Sequence, residues 1–364
     1  MVEKITVHKT MSDSEIADRE GEYFSEKFYK GVGRYIVKSD IDVYTAEGKL
    51  LLKFRKKIIP KHYTDMALDS FLEASQKKHE NRGAAAGVLD REKMANYIGT
   101  FVNPGKFRTG FESSVSGKPS KQATSNLSQS NIVGFFDVPD RNLKGKGAPC
   151  RLTVFNRDHP DLWKNSIPFI QNCDKQFKKL VPERHKIQHK RAQSTPNFAI
   201  SNTAFSTITI NYSWRTALHR DKGDLVDGFG NLIVIEDPNN KNTYDGGYIG
   251  FPQYGVCVDV RTGDFLAMDV HEWHSNTEYR PRNKQIFGSP REKDVKNGWY
   301  FNRMSVVMYL REKMIKCKDV TLWNNKAGGG EGGTVKGTGI ENELLKSLPS
   351  EYVNYMRNQY NMFI

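Results

Sequence analysis

The residues best suited to metal chemistry lie between positions 205 and 309. His219 and Asp221 have one residue between them, and a second histidine cluster follows with His271 and His274. Two histidines and one carboxylate bind iron(II) on one face of the ion and leave three adjacent positions open for a cosubstrate and oxygen. The spacing therefore predicts an iron(II) centre made by His219, Asp221 and one of the two later histidines.

The choice of the third ligand depends on the strand that precedes the second cluster. Residues 263–269 (GDFLAMD) are a short apolar run after a Gly-Asp turn, which is typical of a strand that ends near His271. His274 precedes Ser275-Asn276 and stands at the distance expected for the metal-bearing end of that strand. We predict His274 as the ligand. His271 is the alternative, or a residue that hydrogen-bonds to a ligand.

A strand must also deliver the first two ligands. Residues 205–210 (FSTITI) alternate between polar and apolar side chains, as a strand with one buried face does. Residues two apart in a strand point to the same side of the sheet. His219 and Asp221 therefore share one face if they follow at the end of such a strand.

Arg303 and Ser305 open another apolar run, VVMY at 306–309. A buried guanidinium can hold the far carboxylate of a dicarboxylic acid with two hydrogen bonds, and a hydroxyl two residues later adds one from the same face. These are the groups that 2-oxoglutarate needs while its keto-acid end binds iron. Arg280 and Arg282 lie nearer to the second histidine cluster and are alternative anchors.

The charge of the chain favours an anionic partner. Lysine and arginine number 55 against 42 for aspartate and glutamate, which gives a formal charge of +13. Such a balance indicates nucleic acid first and a membrane surface second. Solubility alone is the simpler explanation, so the charge does not decide the function. Hydrophobic residues make up 37% of the 364 residues, which argues for a folded globule and against a disordered chain.

The cysteines and the hydropathy bear on the compartment. No run of about 18 apolar residues predicts a transmembrane helix, and the first residues lack the apolar core of a signal peptide. We therefore expect an intracellular protein in a reducing compartment, the nucleus if the source is eukaryotic. The four cysteines match no zinc spacing and are expected to be free thiols, at Cys150, Cys173, Cys257 and Cys317.

The coarse organisation is that of a mainly β, α+β protein. Helices are predicted over 12–29, 62–78 and 168–180, and the densest basic run covers 184–191. Short strands with Gly, Asn and Asp turns between them are typical of an antiparallel sandwich or barrel. The predicted strands are 35–37, 42–44, 50–54, 131–136, 150–155, 204–212, 232–236, 247–251, 255–260, 265–268 and 304–310.

Three segments follow from this pattern. Residues 1–149 are predicted as an N-terminal extension that holds a hairpin, a helix and a basic Ser-rich loop at 105–131. Residues 150–325 are predicted as the β core that carries the chemistry. The Gly-rich stretch at 327–339 predicts that residues 326–364 are a flexible linker followed by a helical tail.

Residues 219–224 (HRDKGD) make the chain similar to the TET/JBP family of iron(II)- and 2-oxoglutarate-dependent nucleobase dioxygenases. The likeness includes residues 203–211, Gly246-Gly247, Asp264 and 274–276, and it covers about 150–312. It implies a double-stranded β-helix (jelly-roll) core with flanking helices. It also implies DNA as partner and oxidation of the methyl group of a flipped 5-methylpyrimidine, 5-methylcytosine first.

Residues 44–54, 81–85 and 133–137 also resemble the algal and viral branches of the family. That resemblance implies that ascorbate could replace 2-oxoglutarate as the cosubstrate. The interval between His274 and Arg303 is longer than is usual in the family, which weakens the assignment of Arg303 as the cosubstrate anchor.

The resemblance also assigns a role to Asp224. Family members use an Asp or Asn three residues after the metal aspartate to read the polar edge of the flipped base, so Asp224 is a catalytic and substrate-binding candidate. A carboxylate there can accept a hydrogen bond from the exocyclic amine of cytosine. Phe229, Tyr254 and Trp214 are candidates to stack on the base, with Phe229 preferred as a substrate-binding residue.

Two other readings remain open on the sequence. The same fold and metal could serve thymine, RNA, a protein side chain or a small molecule. A non-catalytic DNA-binding module on an oxygenase scaffold is a third possibility, which the intact set of His219, Asp221 and His274 disfavours.

Overall fold

The computed structural model describes residues 2–75, 78–79, 82–87, 128–137, 150–236, 244–281 and 303–317. The C-terminal linker and tail predicted for residues 326–364, and nearly all of the predicted basic Ser-rich loop, lie outside these ranges. Among the helices of the described ranges, none is both long enough and apolar enough to cross a membrane.

The strands are numbered here in chain order. They are β1 (Glu3–Val7), β2 (Tyr35–Val37), β3 (Ile41–Thr45), β4 (Leu50–Arg55), β5 (Lys78–His79), β6 (Ser128–Phe136), β7 (Arg151–Leu152), β8 (Thr207–Tyr212), β9 (Gly230–Glu236), β10 (Tyr244–Gly246), β11 (Ile249–Phe251), β12 (Val256–Val258), β13 (Phe265–Met268), β14 (Ser275–Asn276), β15 (Tyr279–Pro281) and β16 (Arg303–Tyr309). The α-helices are α1 (Asp13–Ala17), α2 (Lys61–Ser75), α3 (Val154–Asp158), α4 (Pro160–Leu180) and α5 (Pro182–Ala192).

A large mixed sheet dominates the described ranges. Its strands follow the order β1-β3-β4-β13-β9-β16-β8-β6-β5, and β7 pairs with β6. β1 and β3 are parallel, whereas the other neighbours are antiparallel. A smaller sheet has the order β14-β11-β12-β2, and β10 pairs with β15.

Both faces of the large sheet are covered. Because alternate residues of a strand point to opposite faces, β9 contributes to two cores. Leu232 and Val234 pack with apolar residues of the smaller sheet, while Ile233 and Ile235 pack with apolar residues of the helices. The protein is therefore layered as helices, large sheet and small sheet.

The sequence predicted the strands well. Every predicted strand overlaps an observed strand, and 150–155 is the one that differs most in extent. The stretch 150–155 instead gives the two-residue β7 and the start of α3. A large mixed sheet with few helices agrees with the mainly β class that the sequence predicts.

Two helix predictions were wrong in extent. The helix predicted over 12–29 ends at Ala17 in α1, because Gly21 turns the chain with a φ of +88° and its N–H donates to the Leu218 carbonyl. The helix predicted from Pro168 begins at Pro160 instead. Proline inside a helix removes a backbone hydrogen bond, but Pro168 is exposed and the opposite face of α4 buries a row of apolar side chains.

The three-segment division of the chain remains a prediction. Strands β1, β3 and β4, which precede residue 150, lie in the same sheet as β13. Among the cysteines, Cys173 and Cys257 are free and buried. Cys150 is disulfide-bonded, so the prediction of a free thiol at Cys150 was wrong. Sequence spacing does not reveal which sulfurs the fold brings together.

Candidate metal centre

The backbone brings His219 and His274 together. They form an isolated antiparallel bridge in which the N–H of each residue donates to the carbonyl of the other at 3.0 Å. The neighbouring hydrogen bond, from the Asp221 N–H to the Val270 carbonyl at 3.0 Å, continues the same pairing. The predicted strand ends do not carry these residues, because β8 ends at Tyr212 and β13 at Met268. The isolated pairing of the two histidine segments brings them together instead.

The three side chains converge on one point. Nε2 of His219 lies 3.7 Å from Asp221 Oδ1, and Nε2 of His274 lies 3.6 Å from Asp221 Oδ2. One ligand atom from each residue lies within 4.8 Å of the other two. His271, the alternative ligand, directs its Nε2 to the Leu225 carbonyl at 3.1 Å instead.

Hydrogen bonds orient both imidazoles. Nδ1 of His219 lies 2.7 Å from the Ala217 carbonyl, and Nδ1 of His274 lies 2.9 Å from the Glu272 carbonyl. Because a carbonyl only accepts, each Nδ1 carries the proton and each Nε2 lone pair is free for a metal. Burial, helped by the neighbouring His274, lowers the pKa of His219 to about 4, which keeps the ring neutral.

The donor set fits iron(II). Two neutral imidazoles and one carboxylate on one side of a site are the facial set used by non-haem iron(II) oxygenases. The Asp221 side chain is one-third exposed, while that of His274 is buried. All three residues line one cavity.

The cavity beside these residues has a volume of about 370 Å³. Its walls combine the inner faces of β8, β9, β13 and β16 with the segment before His219 and the segment 82–85. Polar side chains on these walls include Arg82, Thr209, Asn211, Thr216, Asp224, Asn276, Ser305, Tyr309 and Arg311. A cavity of this size can take small polar ligands next to the metal position.

The predicted cosubstrate residues Arg303 and Ser305 both lie on β16, but only one of them lines the cavity. Ser305 is part of the cavity wall, whereas Arg303, two residues before it, is not. Arg303 is 2% exposed, and its Nη1 donates to the Gly247 carbonyl at 2.7 Å. Its Nε is buried and has no hydrogen-bond partner in the described part of the chain.

The alternative anchors are placed differently. Arg280 pairs with Glu26 and with Glu278, the latter at 3.0 Å, so its charge is already matched by two carboxylates. Arg282 lies outside the described residues.

Asp224 lines the cavity and is 7% exposed. Burial raises the pKa of the Asp224 carboxyl well above its usual range, and the negative charge of Asp221 adds to the shift. Arg311 opposes the shift, and its Nε donates to Asp137 Oδ1. Asp224 and Arg311 also face each other in an isolated backbone bridge.

Of the three aromatic residues predicted to stack on the base, only Trp214 lines the cavity. Phe229 packs in the core beneath the helices, with its N–H donating to Gln188 Oε1, and Tyr254 packs between the sheets. Neither residue lines the cavity, so their positions do not support base stacking. Trp214 does line it, and its indole Nε1 is buried without a hydrogen-bond partner among the described residues.

Comparison with known proteins places this site in a family. Residues 133–312 match the family model Tet_JBP, the oxygenase domain of the 2OGFeDO superfamily. This segment belongs to the Tet_JBP family. The resemblance seen in residues 219–224 is thereby confirmed.

Two curated proteins illustrate the match to the Tet_JBP segment. Thymine dioxygenase JBP1 of Trypanosoma brucei brucei is 32% identical over 182 residues, which cover 50% of this chain and 19% of that protein. The bifunctional helicase and thymine dioxygenase JBP2 of Leishmania major is 32% identical over 180 residues, 50% of this chain and 14% of that protein. The match thus spans less than a fifth of either relative.

A similar solved structure is that of NgTET1 in complex with 5mC DNA. It is 11% identical, has a TM-score of 0.43 and covers 83% of this chain and 92% of that chain.

Three residues that line the cavity were not predicted as site residues from the sequence. They are Arg82, Asn211 and Arg311. Arg82 lies far upstream of the histidines, and its 81–85 segment was noted for resemblance only. Arg311 follows β16, directly after the apolar run 304–310. Asn211 sits opposite Ser305 in the sheet register, a pairing visible only once β8 and β16 are adjacent.

Proposed function

We propose that this chain is an Fe(II)- and 2-oxoglutarate-dependent dioxygenase that oxidises the methyl group of a 5-methylpyrimidine base in DNA. The observation that carries the proposal is the convergence of His219, Asp221 and His274 at one end of a polar cavity. The Tet_JBP membership of residues 133–312 supports the same reaction class.

Under this proposal the three converging residues hold iron(II), which supplies the oxidising power when 2-oxoglutarate and oxygen are bound. The neutral, hydrogen-bonded imidazoles keep their Nε2 atoms directed at the metal position. Asp221 supplies the negative charge that balances part of the ion's charge. The protein's task is to hold the methyl group close to the open side of this set.

The cosubstrate is proposed to lie along β16. Ser305 offers a hydroxyl at the cavity wall, and Arg303 offers a buried positive charge beyond it, with an Nε–H that has no partner among the described residues. Carboxylates favour such buried guanidinium groups because charge-assisted hydrogen bonds are about twice as strong as neutral ones. Trp214 lines the cavity as well, and its indole N–H has no partner within the described ranges.

The substrate base is proposed to enter from solvent and to meet Asp224. A carboxyl group can pair with the ring nitrogen and the exocyclic group of a pyrimidine. Such contact requires that the base leaves the duplex stack, since an atom inside a duplex cannot reach a buried metal site. We propose 5-methylcytosine as the base, with DNA as partner and the nucleus as the compartment in a eukaryotic cell.

Thymine is the second candidate base. Its support is that JBP1 and JBP2, to which this chain is about a third identical over half its length, are named thymine dioxygenases. Thymine carries the same 5-methyl group, and its O4 and N3–H can also pair with a carboxyl group.

The fold proposed for this activity is the double-stranded β-helix, or jelly roll, formed by residues 150–325 as the catalytic core. Residues 1–149 would be an extension that adds strands to the same sheet, and residues 326–364 a linker and tail.

Mass spectrometry of nucleosides tests the proposal. DNA that contains either 5-methylcytosine or ordinary thymine is incubated with the protein, iron(II) and oxygen, with 2-oxoglutarate, ascorbate or neither. We expect 5-hydroxymethylcytosine that depends on 2-oxoglutarate, and no product from the His219→Ala variant.

Other outcomes of this experiment would change the substrate, the cosubstrate or the proposal itself. A hydroxymethyl product from thymine alone would assign thymine as the base. A product that needs ascorbate and not 2-oxoglutarate would replace the cosubstrate and remove the role of Arg303. Absence of any product from DNA, with iron(II) bound, would overturn the proposal.

A further inference from the structure

The turn at residues 269–272 supports two of the three metal-facing residues. Its Val270 carbonyl accepts a hydrogen bond from the Asp221 N–H at 3.0 Å, and its Glu272 carbonyl lies 2.9 Å from Nδ1 of His274. A hydrogen bond to the second ring nitrogen fixes the tautomer and the orientation of an imidazole ligand. The position of this turn therefore affects both the aspartate and one histidine of the site.

Two carboxylates flank the turn. Asp269 is 2% exposed, and its Oδ1 accepts a hydrogen bond from the His271 N–H at 3.0 Å. The Glu272 N–H donates to the Asp269 carbonyl at 3.3 Å, and Oε2 of Glu272 accepts from the Tyr254 hydroxyl at 3.1 Å. A buried carboxylate is costly unless a positive charge and hydrogen bonds compensate it. The geometry of the turn therefore depends on the cation that pairs with these carboxylates.

Lys49 supplies the positive charge. Its Nζ lies 2.7 Å from Asp269 Oδ2 and 3.0 Å from Glu272 Oε1, so one ammonium group bridges the two ends of the turn. Lys49 stands directly before β4, in the loop that joins β4 to β3. The Lys49 carbonyl accepts a hydrogen bond from the Thr45 N–H at 2.8 Å, which closes this loop. The backbone of the lysine is thus held by its own hairpin.

The pairing of β4 with β13 brings this hairpin next to the turn. Leu52 of β4 stands opposite Met268, the last residue of β13. The Asp269 N–H continues the pairing and donates to the Leu51 carbonyl at 2.9 Å. Lys49 itself lies outside the Tet_JBP segment 133–312. A part of the chain that precedes the family segment therefore contacts the turn that orients two metal-facing residues.

We propose that Lys49 is a positioning residue for the iron site. By bridging the two ends of the turn 269–272, it fixes the carbonyls that orient Asp221 and His274. Lys49 does not line the cavity, so it acts on the reaction only through these two residues. This inference rests on the proposed function, because it takes the three converging residues to hold iron(II).

The same two strands provide a matched control at their other end. Lys56 directly follows β4, and its Nζ lies 3.1 Å from Oδ2 of Asp264, which directly precedes β13. The side chain of Lys49 is 41% exposed and that of Lys56 is 33% exposed, and each pairs with a buried aspartate. Loss of either ion pair should lower the stability of the fold. Only the loss of the pair at Lys49 should change the metal site, because Asp264 is separated from the turn 269–272 by the whole of β13.

The affinity for iron(II) in the absence of DNA and cosubstrate tests the proposal. The dissociation constant of iron(II) from the full chain is measured without oxygen, by competition with a coloured chelator, and the melting temperature of each variant is recorded. Lys49→Met removes the charge, Lys49→Arg keeps it, and Lys56→Met is the control. Glu272→Ala removes one end of the bridge and keeps the backbone carbonyl that faces His274, so it tests the bridge even where Lys49→Met does not fold.

Lys49→Met should bind iron(II) about tenfold to a hundredfold more weakly, which is the usual effect of removing groups that orient metal ligands. Glu272→Ala should weaken binding in the same direction, and Lys49→Arg should bind like wild type. Lys56→Met should lower the melting temperature and keep the wild-type iron affinity. Wild-type affinity in Lys49→Met, equal weakening in the two methionine variants, or no recovery in Lys49→Arg would overturn the proposal.

Two outcomes separate this inference from the proposed function. Wild-type protein that binds iron(II), with the expected loss in Lys49→Met, but oxidises no DNA would refute the proposed function and leave the positioning role standing. Wild-type protein that oxidises 5-methylcytosine in DNA, while Lys49→Met keeps full iron affinity, would refute the positioning role alone.

Discussion

The backbones of His219 and His274 exchange two hydrogen bonds of 3.0 Å, and their imidazole rings lie with centroids 4.3 Å apart. Residues directly opposite each other in an antiparallel pair place their side chains on the same side. The spacing between the two nitrogen ligands is therefore set by the strand pairing itself. A change that breaks this pairing should weaken metal binding even when both histidines are present.

Replacing a metal-facing histidine should remove iron(II) binding. His219→Ala and His274→Ala each leave two ligands, so we expect the iron content after dialysis to fall below about a tenth of wild type, with a matching loss of turnover. The measurement is iron per chain by plasma mass spectrometry, together with nucleoside analysis of treated DNA.

His271→Ala is the matched control for those variants. Its Nε2 contacts the Leu225 carbonyl and lies outside the group of converging ligands, so iron content should stay near one per chain. If His271→Ala loses iron while His274→Ala keeps it, the assignment of the third ligand is wrong.

The convergence of these three side chains could be predicted in part, because some of its signals are local. One residue separates His219 from Asp221, and the apolar run 263–269 precedes His274. The alternation at 205–210 did not contribute, because β8 ends at Tyr212, before the segment that contains His219. The rest of the cavity wall depends on which strands become neighbours. Asn211 and Ser305 meet only because β8 pairs with β16, and no local pattern records that pairing.

The predictions of a base-stacking role for Phe229 and of a helix over 12–29 were wrong for similar physical reasons. Phe229 lies close in sequence to residues 219–224. Its N–H nevertheless donates to Gln188 Oε1 on α5, and its ring packs in the core beneath the helices. Residues 18–29 have helical spacing, but the Gly21 N–H donates to the Leu218 carbonyl and holds the chain next to the segment that contains His219. In both cases a contact made after folding overrides a preference that is readable in the sequence.

Arg303 should determine the affinity for 2-oxoglutarate. Arg303→Lys keeps the positive charge but loses the planar pair of donors, so the KM for 2-oxoglutarate should rise about tenfold to a hundredfold, which is the effect of losing about 1.5–3 kcal/mol of charge-assisted hydrogen bonding. The KM for DNA should change little. Initial rates at varied 2-oxoglutarate give the result.

Arg280→Lys is the companion variant, since Arg280 was the alternative anchor. Its guanidinium pairs with Glu26 and Glu278, so the substitution should leave the KM for 2-oxoglutarate within about twofold of wild type, because partly exposed ion pairs contribute little. A larger increase in KM for Arg280→Lys than for Arg303→Lys would exchange the two assignments.

Trp214 should contribute a hydrogen bond to a ligand in the cavity. Its Nε1 is buried without a partner among the described residues, and a buried donor without a partner is costly unless a ligand or water satisfies it. Trp214→Phe keeps most of the ring but removes the N–H, so the KM for 2-oxoglutarate or for DNA should rise about tenfold.

The control for Trp214 is Trp163→Phe. Trp163 also has a buried Nε1 without a partner in the described ranges, but it lies in the core under the helices. It should change the melting temperature and leave both KM values unchanged. Unchanged KM values in Trp214→Phe as well would show that the indole N–H meets only water.

Asp224 is expected to contact the base and to play no part in iron binding. It lines the cavity but lies outside the converging ligands, so Asp224→Ala should keep the iron content of wild type. Losing its hydrogen bonds to a flipped base should lower kcat/KM for DNA about tenfold to a hundredfold, since a buried polar edge of the base is left unpaired. Nucleoside mass spectrometry and iron analysis are run on the same preparation.

Asp224→Asn distinguishes a base contact from a structural effect. An amide can donate to the ring nitrogen or carbonyl of a pyrimidine and accept from its N–H groups, so this variant should recover most of the kcat/KM lost in Asp224→Ala. Both substitutions remove the ionisable carboxyl group beside Arg311, so a role that depends only on the contact of this group with Arg311 would impair them equally. Equal impairment would assign Asp224 to holding Arg311 at the rim, and wild-type rates in Asp224→Ala would remove it from the reaction altogether.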